Sequence, residues 1–289
     1  MKSPAFEYHC PLSLSDALHL VATENVTLLA GGQSLVPMLN FRLLAPAALI
    51  DLNRVPELAE MRLGSDRLSF GAMVRQRQLE KSAELAALAP IFAEAVKQIG
   101  HRQTRNRGTF GGSLCHLDPS AELPSLSVLH DAIVTAQSRA GERQISIHDF
   151  IQGAMSNGLE TGEILTRIEM APWPAGHGYA FIEHARRAGD FALSSAGCLL
   201  TLDGAGAIDR IAICVGGLGD KPLRLRKSEA AFKGKVLSEE LILAAGEEAR
   251  ACPADGSLHA SAEFKQQIAA TLTGRALRLA LHRAKGGTA

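Results

Sequence analysis

AGGQSLVPML at residues 30–39 and GTFGGSLCHLDPSAELP at 108–124 are the two stretches that decide how this chain is read. In the first, Gly31 and Gly32 follow the apolar run VTLLA at 26–30 and precede a helical pattern from Ser34 to Phe41. Backbone N–H groups and the Ser34 hydroxyl then converge near a helix N-terminus, a geometry that suits a phosphate. For this cluster taken alone, an ordinary tight turn with Ser34 as N-cap is the preferred reading. In the second, Gly111 and Gly112 remove side chains where a ligand would approach, while Thr109 and Ser113 offer hydroxyls. A bulged strand edge is the competing reading. Asp118 and Glu122 follow at a spacing that turns both toward one ligand, and a carboxylate accepting from ribose hydroxyls is a common companion of a pyrophosphate site. Either is also placed to cap a helix, because Asp118-Pro119 opens a turn. Neither stretch fits a G-x-G-x-x-G dinucleotide fingerprint or a G-x-x-x-x-G-K-[ST] loop, so a nucleotide here requires another fold.

Working outward, the pattern predicts a helix over 13–22, a strand at 26–30 and a strand at 47–51, a compact β-turn-α-β unit. A strand at 67–72, helices at 81–88 and 90–99 separated at Pro90, and a helix at 122–130 follow. The segment 104–124 reads as glycine-rich and irregular up to that last helix. Strands are expected at 132–137, 143–147 and 163–170. APWPAGHG at 171–178 holds two prolines and two glycines and marks the domain boundary. Beyond it come three strands, at 179–187, 195–202 and 207–215, then helices at 238–250 and 261–284 and a frayed tail from Lys285 to Ala289. The organisation is a domain over 1–175, with subdomains of about 1–56 and 57–175, and a second domain over 176–289.

The 289 residues suffice for a sizeable core. Thirty Lys and Arg balance thirty Asp and Glu, which argues against a dedicated nucleic-acid partner. Aromatics at 4% leave little for stacking platforms. Cys10, Cys115, Cys198, Cys214 and Cys252 lie too far apart to hold zinc or an iron–sulfur cluster and read as free thiols. His101, His116 and His148 show no metal or triad spacing and read as surface or cap residues. With no apolar leader and no bilayer-length apolar run, the expectation is a cytoplasmic protein with no membrane insertion. Arg102, Arg105 and Arg107 form a basic cluster just before the second turn, ordinarily a solvated face and otherwise a contact for cofactor phosphates or a partner.

Several motifs in fixed order resemble the FAD-binding medium subunit of molybdenum hydroxylases, the family of carbon monoxide dehydrogenase and the xanthine dehydrogenase flavin domain. They are FEYHCPLSLSDAL near the start, AGGQSLVP at 30–37, IDL at 50–52, RNRGTFGGSLCHLDPSAELP at 105–124, GEILTRIEMAP at 162–172, RRAGDFALSSAG at 186–197 and DGSLHASAEFKQQIAATLTGRAL at 255–277. The resemblance implies an α+β fold: a two-subdomain FAD-binding α/β domain of the vanillyl-alcohol-oxidase type, then a C-terminal domain with a three-stranded sheet and helices. It implies that Ala30, Gly31, Gly32, Gln33, Ser34 and Leu35 and, from the second turn, Thr109, Gly111, Gly112 and Ser113 hold the FAD pyrophosphate. Asp118 and Glu122 fall to the nucleotide half, Leu165 beside the flavin ring, and Phe191 near the isoalloxazine, although Phe191 reads equally as a core aromatic. The chain departs from relatives at Ser113, where many have Asn, at Glu122, where some have Asp, and at Ala185, where some have a Lys near the cofactor.

The resemblance further implies non-covalent FAD in this chain. Molybdopterin is expected in a large partner subunit and two [2Fe–2S] clusters in a small one, the three chains forming a dimer of heterotrimers. The electrons then reach FAD from the clusters and leave to an external acceptor, with no catalytic residue and no metal required of this chain. A self-sufficient FAD-dependent oxidase or reductase is the alternative, and it needs a substrate cavity with an acid or base beside the ring. A non-catalytic nucleotide-binding module is the third.

Overall fold

The computed structural model describes residues 2–287; Thr288 and Ala289, the end of the expected tail, lie outside the described residues. Strand β1 (Glu7–His9) leads into helix α1 (Leu14–Val21), which Ser13 caps by accepting from the Asp16 N–H at 3.1 Å. Strand β2 (Val26–Leu29), helix α2 (Leu35–Asn40) and strand β3 (Ala48–Asp51) complete a wholly parallel three-stranded sheet in the order β1-β3-β2. Because the strands are parallel, their carboxyl ends lie on one side, where ligands of open α/β sheets bind.

The second unit is a five-stranded antiparallel sheet in the order β4 (Met61–Leu63), β5 (Leu68–Gly71), β10 (Ile164–Met170), β6 (Ile133–Ser138) and β7 (Gly141–Ser146). Between β5 and β6 the chain forms α3 (Gln76–Lys81), α4 (Ala83–Leu88), α5 (Ile91–Gln98), α6 (Arg102–Arg107), α7 (Phe110–His116) and α8 (Glu122–Leu129). A short helix α9 (Ile147–Phe150) and a hairpin of β8 (Ile151–Gly153) and β9 (Ser156–Asn157) lead into β10. Phe70, Phe92 and Phe110, all fully buried, pack with ring centroids 5.2 to 6.1 Å apart at the centre of this unit.

The C-terminal unit contains the three expected strands, β11 (Gly178–His184), β12 (Ser194–Leu202) and β13 (Ile208–Gly216), as an antiparallel sheet that a two-residue strand β14 (Leu223–Arg224) extends. Helices α10 (Arg226–Phe232), α11 (Glu239–Arg250) and α12 (Ala262–Ala284) follow, with Ala276, Leu277 and Ala280 of α12 buried in this unit's core. Phe181, Leu199, Ala212 and Cys214 on the sheet's other face join the core of the second unit, so the C-terminal sheet is sandwiched between its own helices and the preceding domain.

Between 104 and 117 the structure corrects the sequence expectation of an irregular segment: α6 and α7 occupy it. Neither RQTRNR nor FGGSLCH carries helical apolar periodicity. Tertiary contacts form them instead, since Phe110 anchors α7 in the core and Thr109 caps it by accepting from the Gly112 N–H at 3.0 Å.

Candidate functional site

The first glycine turn leaves β2 at the carboxyl end of the parallel sheet, and Gly32 takes a left-handed φ of 73° that favours glycine. The backbone N–H groups of Gly32, Gln33, Ser34 and Leu35 find no acceptor among the described residues. Ser34 sits at the start of α2 with helical φ and ψ, and its hydroxyl makes no cap bond. Ser34 thus stands at the N-cap position of α2, as the tight-turn alternative has it, but without the side-chain cap bond. Gln33 donates from Nε2 to the Gly31 carbonyl at 3.2 Å.

Both turns meet at one joint. A Cβ on Gly31 would stand 2.4 Å from the Arg107 carbonyl oxygen and 2.8 Å from the Gly108 Cα, so the missing side chain lets the two backbones touch. A Cβ on Gly112 would lie 2.6 Å from the Thr109 Oγ1 and 3.5 Å from the Ala30 Cβ. Gly111 serves packing: its N–H donates to the Ala72 carbonyl at 2.8 Å, and a Cβ would stand 2.5 Å from that of Ala72. The second turn differs from the first in having its N–H groups occupied, by Val74, Ala72, Thr109 Oγ1 and the Thr109 carbonyl for residues 110 to 113. What it offers a ligand is the hydroxyls of Thr109 and Ser113, and the bulged-strand alternative is replaced by a capped helix start.

Polar residues that sequence reasoning did not single out complete the joint. Asp51 and Asn53 stand at the carboxyl end of β3, and Asn53 Nδ2 donates to the Ala30 carbonyl at 2.9 Å and also to Asp51. The Tyr8 hydroxyl donates to Asp51, and that bond to a carboxylate pushes its pKa up to about 12. Arg75 donates to both the Asn53 side chain and the Arg107 carbonyl. Burial and then the neighbouring Arg107 charge lower the Arg75 pKa, so an anion at this joint would relieve two crowded guanidinium groups. Leu29, Ala30, Gly31, Gly32, Asn53 and Arg107 are among the residues that line a cavity of about 320 Å³ here. The unpaired N–H groups of residues 32–35, with Arg107 at the cavity, form a donor set fitted to the pyrophosphate of FAD.

Leu165 is buried in the core at a register shift of β10 against β6, so its side chain packs rather than faces a cavity. Its neighbour Thr166 ties it to the second turn, because the Thr166 carbonyl accepts from the Ala72 N–H at 3.0 Å and the Ala72 carbonyl from Gly111. Phe191 is not a core aromatic: it is 71% exposed, on the loop joining β11 to β12. Ser120 Oγ holds that loop by donating to the Ala192 carbonyl at 2.8 Å. The basic cluster divides. Arg105 is buried against Glu80 and the carbonyls of Ile99 and Gly100, whereas Arg107 reaches the cavity. Asp118 Oδ1 accepts from the Ser120 N–H at 2.8 Å in a local turn that brings Glu122 to the first turn of α8. Burial, followed by the facing Glu183 carboxylate, pushes Glu122 up to about 8.

Among the described residues no group of His, Cys, Asp or Glu is arranged to hold a metal ion, and no helix is long and apolar enough to cross a membrane.

The family described as FAD binding domain in molybdopterin dehydrogenase matches residues 4–173, and that described as CO dehydrogenase flavoprotein C-terminal domain matches 179–280. The chain is 39% identical to the 6-hydroxypseudooxynicotine dehydrogenase complex subunit alpha of Paenarthrobacter nicotinovorans, over 99% of this chain and 97% of that one. It is 34% identical to the carbon monoxide dehydrogenase medium chain of Hydrogenophaga pseudoflava, over 97% of this chain and 98% of that one. A solved structure of the Hydrogenophaga pseudoflava carbon monoxide dehydrogenase superposes with a TM-score of 0.94 at 34% identity, over 98% of this chain and 99% of the other. Quinoline 2-oxidoreductase from Pseudomonas putida 86 gives 0.91 at 36% identity, over 99% of each chain.

Proposed function

Since the chain belongs to the family of FAD-binding medium subunits of molybdenum hydroxylases, we propose that it is the electron-transfer flavoprotein of such a complex. A small subunit with [2Fe–2S] clusters supplies the electrons, a large molybdopterin subunit oxidises the organic substrate, and an external acceptor takes the electrons from this chain. The observation that carries the reading is the joint of the two turns, where Gly32 and Gln33 with unpaired N–H groups line one cavity together with Arg107, and Arg75 braces it through the Arg107 carbonyl and Asn53. FAD supplies the redox chemistry, accepting electrons singly or in pairs. The chain's own residues bind and orient it. Gly32, Gln33, Ser34 and Leu35 donate to pyrophosphate oxygens, with Ala30 and Gly31 shaping the turn. Thr109 and Ser113 donate from the other side, Gly111 and Gly112 keep the backbones close, and Arg75 and Arg107 balance the charge. Asp118, Glu122 and Phe191 extend the contact toward the seam with the C-terminal domain, and Leu165, packed in the core, supports the second turn through the backbone of Thr166 and Ala72.

We assign residues 1–175 to cofactor binding, with subdomains of about 1–56 and 57–175, and 176–289 to the C-terminal domain. The flavin is held non-covalently, because neither turn contains a His or Cys to carry a bond. The five free cysteines fit a reducing cytoplasm. Co-expression with the two partner genes tests the reading: a stable complex of three different chains, doubled by a two-fold axis, is expected. Acid precipitation releases all of its flavin, and substrate bleaches the flavin in the complex but not in the isolated chain. Rapid bleaching of the isolated chain by the same substrate would defeat the subunit reading and favour a self-sufficient enzyme.

A further inference from the structure

The loop before α8 is fastened to the C-terminal domain, with the Gly217 N–H donating to the Pro119 carbonyl at 3.0 Å and Ser120 Oγ to the Ala192 carbonyl. One turn along α8 from Glu122, Ser125 lies against Gly216. A Cβ there would stand 2.8 Å from both the Ser125 and the Ser195 hydroxyl oxygens. Ser195 is the direct cross-strand partner of Glu183, and such partners project from the same face of a sheet. Glu122 and Glu183 therefore face each other across the seam from two different domains. Glu183 Oε2 is fully buried with no hydrogen-bond partner among the described residues. Facing carboxylates that are each partly withdrawn from water oppose one another's ionisation.

We propose that Glu122 meets FAD as a protonated carboxylic acid that donates a hydrogen bond, and that Glu183 is the positioning residue that keeps the proton there. This rests on the placement of FAD proposed above and reverses the expected role of Glu122, which as an ordinary carboxylate would accept from ribose hydroxyls. The charged groups that face Glu122 are Glu183 from β11, Asp118 from the preceding loop and Arg105 from α6. Glu183 and Asp118 favour the protonated form and Arg105 opposes it, as does the positive end of the α8 dipole. Burial decides the balance, and it raises Glu183 as well, to about 7. The two carboxyls titrate as an interacting pair, whose retained proton we place on Glu122.

The test is the FAD dissociation constant of the full chain, measured by quenching of flavin fluorescence between pH 6 and 9. Wild type should bind with near-constant affinity up to neutral pH and about tenfold more weakly at pH 9 than at pH 7, the signature of losing one bound proton. Glu122→Gln, which keeps a donor and cannot ionise, should bind within a few-fold of wild type at pH 7 and lose the pH dependence. Glu183→Gln removes the facing charge and should move the weakening to lower pH. Affinity that rises with pH, a Glu122→Gln variant that folds to the same melting temperature yet loses binding, or a Glu183→Gln profile identical to wild type each overturns the proposal. A chain that binds no FAD at any pH removes the cofactor site itself, a different failure from FAD bound with a flat profile.

Discussion

Replacing Gly31 by alanine adds one methyl group at the contact between the two turns, 2.4 Å from the Arg107 carbonyl oxygen and 2.8 Å from the Gly108 Cα. Even close C–H···O contacts keep carbon and oxygen about 3.3 Å apart, so the backbones must separate by about 1 Å. Both obstacles are main chain, and the Arg107 carbonyl is also tied to the Arg75 guanidinium, so no flexible side chain can swing away. The overpacking itself should cost about 1–3 kcal/mol of stability. The larger consequence falls on the ligand, because the donors of residues 32–35 and the hydroxyls of Thr109 and Ser113 would no longer converge on one pyrophosphate. Losing a single hydrogen bond to a charged oxygen, about 1.5–3 kcal/mol, corresponds to roughly ten- to a hundredfold in affinity. Flavin content per folded chain and the FAD dissociation constant are the assays. Gly204→Ala is the control, since a Cβ there meets nothing within 4 Å. Full flavin occupancy and unchanged affinity in Gly31→Ala would refute the joint as the cofactor site.

Gly112→Val should lower flavin content well below that of Gly204→Val, because its Cβ position is 2.6 Å from Thr109 Oγ1 whereas that of Gly204 is open; equal occupancy would remove the second turn from the site. Arg224→Ala should destabilise the chain by about 3–5 kcal/mol in urea unfolding, since it strands buried Glu229 and breaks bonds to Val128 and Asp131; a loss under 1 kcal/mol would contradict this. Burial pushes His130 down to about 4, so the unfolded chain, with a histidine near 6.5, takes up that proton first as the pH falls. The contribution, about 3 kcal/mol, is whole above pH 6.5 and lost progressively toward pH 4. His130→Gln should flatten that part of the stability profile, and an unchanged slope would exclude His130 as its source.

Local signals placed most of the frame. VTLLA and AALID became β2 and β3 within a residue or two because short apolar runs bounded by glycine, proline or polar turns have few alternatives in a parallel sheet. The helix expected over 13–22 became α1, started by the Ser13 side chain that accepts from the Asp16 N–H, and the one expected from 261 became α12, where the structure shows Ser261 in the same role. The edge strands Glu7–His9 and Met61–Leu63 were missed because three residues with mixed exposure show no alternation to read. In the site, the glycines announced themselves, whereas Arg75 did not: it lies between β5 and α3, and only the fold brings its guanidinium to Asn53 and Arg107. Asn53 had a signal in hindsight. A polar residue just past the end of a buried parallel strand, beside a strand that ends in a glycine turn, stands where such sheets bind ligands.

The seam between the domains is tied at both ends. Arg224 is 6% exposed and donates at once to Glu229 of its own domain and to Asp131 and the Val128 carbonyl of the other. Asp131 in turn takes Arg226 and His148. Opening the seam would break the Arg224 bonds to Asp131 and to the Val128 carbonyl while leaving Arg224 paired only with Glu229. At the Glu122 end the seam is held by neutral contacts through Ser120 and Gly217 instead. The ion-pair clamp at one end and the neutral contacts at the other fix where α8 begins and where Glu122 stands. The loop carrying the exposed Phe191 lies at that same end, held by the Ser120 bond to the Ala192 carbonyl.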